Sequence, residues 1–93
     1  MTELQLRAFY GYLISAEARA QLTAQTYLGT LKLFQQQLGT DHLIEDASEK
    51  DCIDFILARA QEGVTGKTLA KDRAALRSFY RFLQLENIRA DNP

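Results

Sequence analysis

The chain has 93 residues, 46% hydrophobic and 25% charged, which suits one globular domain and is too short for two. The single cysteine, Cys52, excludes an internal disulfide and a cysteine-rich zinc site, and no apolar run approaches the roughly 18 residues of a membrane-spanning helix. The formal net charge of −1 hides a polarised distribution: residues 1–39 carry three cations and two acids, residues 40–64 two cations and seven acids, and residues 65–93 six cations and three acids. A split of this kind creates a local binding field that the mean charge conceals. The N-terminal MTELQLRAFYGYL has an acid at Glu3 and lacks the layout of a secretory signal, so a cytoplasmic location is expected.

Proline is absent before Pro93, and every periodic segment repeats at the helical interval. The first predicted helix runs from Thr2 to Ala18, with Leu6, Phe9, Tyr10, Leu13 and Glu17 on one mostly apolar side and Gly11 weakening it. The second has Thr23 as its expected N-cap, with Leu22 and Tyr27 at the spacing of a hydrophobic staple. Tyr27, Leu31, Phe34 and Leu38 form its core stripe, Gln25, Thr26, Gly29, Lys32 and Gln36 its polar face, and Gly39 its stop. In the loop TDHLIEDA, Leu43 or Ile44 is expected to plug the core edge. The third helix opens at Ser48, which forms an S-x-x-D capping box with Asp51; Ile53, Ile56, Leu57 and Ala60 are expected to face inward, and Gly63 to end it.

The fourth helix begins at Thr65, the expected N-cap, with Val64 and Leu69 at staple positions. Leu69, Leu76, Phe79, Tyr80 and Leu83 project to one side. Lys67, Lys71, Ala74, Ser78 and Arg81 project to the other, with Arg73 and Arg77 along one flank. Asp72, the only acid between Thr65 and Phe82, falls on the margin of the buried side. An outer face of long cations separated by small residues suits phosphate contact, and the helix N-terminus with Thr65, Lys67 and Thr68 adds hydroxyls and free N–H groups. On patterning alone a merely solvated face explains the stripe equally well. Gln25 and Thr26 have side chains able to read base edges, and Gly29 removes bulk where a helix presses on DNA, but an ordinary wet face is the alternative there too.

Other candidate chemistry is thin. GVTGKT is too short for a phosphate-cradling P-loop, since Gly63 and Gly66 are only three residues apart and no strand precedes them. His42 has no neighbouring ligand, the mid-chain acids read as caps and solvated loop, and the tyrosines read as core or core-edge residues. No metal, cofactor or acid/base pair is expected.

Two stretches carry a resemblance. LTAQTYLGTLKLFQQQLG resembles the S-x-x-T-x-x-x-Y-x-x-x-L-x-x-F pattern in the second helix of the N-terminal core-binding domain of tyrosine recombinases, the phage-type integrases that include the Xer proteins. TGKTLAKDRAALRSFYRFLQLENIRADNP resembles that domain's last helix, where L-x-x-[LI]-R-x-F-Y-x-[FY]-L runs into an N-P linker. The resemblance covers nearly the whole chain. It implies an all-α, four-helix SAM-like orthogonal bundle over residues 1–90, with residues 91–93 opening a linker to a catalytic domain that the chain lacks. That domain would hold the family's two arginines, lysine, histidines and tyrosine nucleophile, so this chain is expected to be non-catalytic.

The resemblance further implies that the second and fourth helices face the major groove of a recombination site in double-stranded DNA. Carried over by position, the DNA-binding set is Thr23, Gln25, Thr26 and Lys32 on the second helix and Thr65, Lys67, Thr68, Lys71, Arg73, Arg77 and Arg81 on the fourth. The first helix would touch other protomers in a synapse, while the isolated domain is expected to be a monomer. The rival reading is a small helical protein–protein interaction module that uses its first or acidic third helix. It requires an exposed apolar patch on one of them.

Overall fold

Side-chain caps set three of the four helix starts. In the computed structural model, which describes residues 2–93, the helices are α1 (Glu3–Ser15), α2 (Gln21–Leu38), α3 (Glu49–Gln61) and α4 (Gly66–Leu85), with a 3-10 turn at Ile44–Asp46. No strand occurs among the described residues. Thr2 caps α1 through a box with Gln5: its hydroxyl accepts the Gln5 N–H at 3.1 Å and its own N–H donates to Gln5 Oε1 at 2.8 Å. Ser48 and Asp51 form the expected box on α3, at 3.1 and 3.0 Å. Thr65 caps α4 by accepting the Thr68 N–H at 3.1 Å. Each bond satisfies a donor that a helix start leaves free.

Several boundaries differ from expectation. α1 ends at Ser15 rather than Ala18, because Ala18 takes a left-handed φ of 52° and the Arg19 N–H turns back to Leu13 O at 2.9 Å. α2 starts at Gln21, capped by the backbone of Ala20 without a side-chain bond, so Thr23 is not the N-cap. Leu22 is 74% exposed and staples nothing. Packing outweighs capping here: with Thr23 already helical, Ala24 enters the core in register with Tyr27, Leu31 and Phe34. Gly39 and Gly63 both adopt φ of 86°, the left-handed turn that suits glycine after a helix.

α4 is the hub and packs on all three other helices, most extensively on α2. Phe9 of α1 meets Phe79 edge-on and Phe82 at a tilt, each with ring centroids 5.5 Å apart. Phe34 of α2 meets Phe55 of α3 at 4.9 Å. Ile44, not Leu43, plugs the core edge. The Tyr80 hydroxyl donates to Ile44 O at 2.7 Å, and Gln35 ties the loop through Gly39 O, His42 O and the Ile44 N–H.

The buried face of α3 differs from the expected one. Cys52 and Phe55 are buried and Ile56 is half-buried, whereas Ile53 is 51% exposed, Leu57 is 56% exposed and Ala60 is exposed. Cys52, Phe55, Ile56 and Arg59 share the helical i, i+3, i+4, i+7 row. Rotating α3 to bury Ile53 and Leu57 would expose the Phe55 ring and swing Arg59 away from α4. One large aromatic with a ring partner, plus a buried ionic contact, outweighs two aliphatics. Phe34→Ala should therefore cost about 3–5 kcal/mol in urea unfolding, while Ile53→Ala should stay within about 0.5 kcal/mol.

Candidate nucleic-acid interface

Asp72 organises the electrostatics of α4. It is 2% exposed and turned wholly inward, where one carboxylate oxygen accepts from Thr30 Oγ1 of α2 at 3.0 Å and the other from Arg59 Nε of α3 at 3.0 Å. Arg59 also donates to Glu62 at 3.2 Å, and its carboxylate partners hold its pKa above the ordinary arginine value. A buried carboxylate needs such partners, since an isolated one is very costly. The node joins three helices and leaves the outer face of α4 without an acid. Its one signal in the sequence was an acid lying near the apolar side of a helix; the inward turn of Arg59 had none.

Five further acids are paired with cations outside α4. Arg7 pairs with Glu3, Arg19 with Glu17, Lys50 with Asp54, Arg59 with Asp72 and Glu62, and Arg89 with Asp91. Of the eleven cations, six make no ion pair among the described residues: Lys32, Lys67, Lys71, Arg73, Arg77 and Arg81. These are the six that the sequence nominated, and all six are exposed.

They do not form a single row. At about 100° per residue, Arg81, Arg77 and Arg73 step round the helix by about 60°, 100° and 140° from the middle of the Lys67–Lys71 pair. Arg73 and Arg77 border α3, where they line a groove, and the lysines occupy the other edge of the exposed arc. Arg81 lies beside Tyr12. The Tyr12 hydroxyl is pushed up to about 12 by burial and by its bond with Glu17, against the opposing pull of Arg81.

Ser78 was expected on the outer face but is only 5% exposed, and its hydroxyl donates to Glu17 Oε1 at 2.8 Å. The segment leaving α1 covers that side of α4, and Ala74 is half-buried. Burial raises the pKa of Glu17, yet bonds from Tyr12, Ser78 and Arg19 hold it below the ordinary carboxylate value.

On α2, Gln25, Gly29, Lys32 and Gln36 share one exposed face. Thr26, also exposed, lies one turn before Thr30 on the row that meets α4, and its hydroxyl donates to Leu22 O at 3.0 Å. Thr23 is half-buried on a different side. The Thr65 hydroxyl donates to Thr68 Oγ1 at 3.1 Å while it caps, so these two threonines chiefly bond each other.

No group of three or more potential metal ligands occurs among the described residues, and none of their helices is long and apolar enough to cross a membrane. The all-helical bundle, with α4 as hub and an acid-free outer face, defines a class that comparison makes specific. The family model for the phage integrase N-terminal SAM-like domain matches residues 6–87, and the chain belongs to that family. Among curated relatives, a tyrosine recombinase XerC of Bacillus subtilis strain 168 is 29% identical over 90 residues, covering 95% of this chain and 30% of that protein. A tyrosine recombinase XerD of Rhizobium meliloti strain 1021 is 30% identical over 96 residues, covering 100% of this chain and 30% of that protein. The chain thus spans 30% of the length of these relatives. No solved structure gives a significant match.

Two outcomes follow for the buried charges. Asp72→Ala strands Arg59 and Thr30 and should cost about 3–5 kcal/mol in urea unfolding, with Asp72→Asn costing less because it keeps an acceptor for Thr30. Since the folded-state pKa of Glu17 is depressed, its stabilisation is complete above the ordinary carboxylate pKa and is lost as the pH falls through the folded value. Glu17→Gln should flatten the acid side of the stability–pH curve, measured by urea unfolding across the acid range.

Proposed function

We propose that this domain is a DNA-binding half-clamp of a site-specific tyrosine recombinase, gripping duplex DNA through the outer faces of α2 and α4. The observation that supports this reading is the coincidence of the six cations lacking an acidic partner with the two helices whose sequence resembles the family's groove-facing ones. A cation already paired with a carboxylate gains little from a phosphate, whereas an exposed, unpaired one neutralises a phosphate and releases counterions. Lys67, Lys71 and Arg81 form the centre of the proposed contact on α4, and Lys32, beside Leu6 and Gln35, is its cation on α2. Gln25 and Thr26 add base-edge or sugar–phosphate hydrogen bonds, and Gly29 allows close approach. Thr65 and Thr68 stand at the N-terminal end of α4, whose dipole and free N–H groups favour a phosphate, and Thr23 lies at the margin. Arg73 and Arg77 flank this surface on the side of α3.

In this reading residues 1–90 form the clamp and residues 91–93 open the linker to a catalytic domain that performs strand breakage and rejoining. Other protomers of a synapse are its protein partners, the isolated domain is a monomer, and the DNA contact needs no cofactor. With a net charge of −1, affinity in isolation should fall in the non-specific range of about 10⁻⁴–10⁻⁶ M.

Fluorescence-anisotropy titration of a labelled duplex across a salt series tests this directly. Wild-type affinity should fall with salt at a log–log slope of about −0.9 per phosphate neutralised. Lys67→Glu/Lys71→Glu should weaken binding at least about tenfold and flatten the slope by about 2. Binding that ignores salt, or equal binding by the double variant, would refute the assignment.

A further inference from the structure

We propose that the groove between α3 and α4 is a docking site for an amphipathic helix of another protein chain, one bearing carboxylates on the flank that meets α4. The groove encloses about 420 Å³, within the size range of built binding sites. Its floor is Cys52, Ile56, Leu76 and Tyr80, and Ile53 and Leu57 form its α3 wall. These two side chains are about half exposed on an otherwise polar helix, which makes an apolar strip at the i, i+4 spacing that a second helix matches. Arg73 and Arg77 form the α4 wall.

Charge decides what the occupant is. Arg73 and Arg77 have no acidic partner among the described residues, and a guanidinium fork at the rim of an apolar groove is matched by a carboxylate. The α3 wall is apolar, since Asp54 is already paired with Lys50 at 2.7 Å and lines a separate hollow with His42 and Asp51. A polyphosphate backbone would meet attraction on one wall and an apolar face that it cannot match on the other. A helix with an apolar strip facing α3 and acids facing α4 satisfies both walls and fixes its own orientation.

The wall at one end is anchored. Asn92 and Pro93 line the groove, Asn92 Nδ2 donates to Arg77 O at 3.3 Å, and the Arg89 guanidinium sits 5.0 Å over the Tyr80 ring while bonding Asp91. The site is therefore shaped before any partner arrives, which lowers the ordering cost of binding. The proposal does not depend on DNA binding by the opposite edge of α4.

The test uses three probes against the methyl-labelled 93-residue chain in methyl NMR: a 16-residue alanine-based helix with a leucine strip flanked by glutamates on one side, the same peptide with leucines replaced by serines, and a short DNA duplex. The leucine peptide should shift the Ile53, Ile56, Leu57 and Leu76 methyls saturably, and the serine peptide should not. Arg73→Glu/Arg77→Glu should weaken peptide binding at least fivefold. Ile53→Ser, a half-exposed position that leaves helicity intact by circular dichroism, should abolish it. No saturable shift at millimolar leucine peptide, equal shifts from the serine peptide, unchanged affinity in the arginine variant, or displacement of the peptide by the duplex would overturn the proposal.

Discussion

One inward-facing carboxylate governs much of this molecule. Asp72 sits on the helix with the most cations and is withdrawn from its surface by Thr30 and Arg59. The two bonds come from α2 and α3, so a single buried group helps fix how α4 lies against both. Buried ionic groups contribute less to net stability than to making alternatives unattractive, because any arrangement that breaks the node leaves a desolvated charge. α4 in a different rotation would both expose its aromatics and strand this acid.

The same withdrawal shapes the outside. With Asp72 buried, and the other paired acids engaged by cations on α1, in the α1–α2 connection, on α3 and in the C-terminal tail, the cations of α4 make no ion pair among the described residues. A protein of net charge −1 thereby presents an unopposed cationic helix. Local charge arrangement, not the mean, sets the field that an approaching polyanion meets.

The exposed arc of α4 has two edges with different neighbours. The lysine edge continues into polar surface, while the arginine edge borders the apolar strip left uncovered when Phe55 and Arg59, rather than Ile53 and Leu57, turned inward. Burying the larger ring against Phe34 leaves two aliphatics in the open, and surface of that kind marks contact sites on other proteins. In the functional reading given above, the two edges serve different partners.

Much of this was legible in the residues alone. Helix count and order, the caps at Ser48 and Thr65, the glycine stops and the core stripes of α2 and α4 all follow from local chemistry, because caps and helical periodicity act within a few residues. The nomination of Lys32, Lys67, Lys71, Arg73, Arg77 and Arg81 also came from the sequence. That they lack acidic partners could not, because pairing depends on which acids lie within reach across the fold. The same holds for the face α3 buries, for the inward turn of Asp72 and Ser78, and for the division of the cations between two edges. Each is a competition between groups distant in the chain, such as Phe55 with Phe34 or Ser78 with Glu17, and only tertiary packing brings those groups together to decide it.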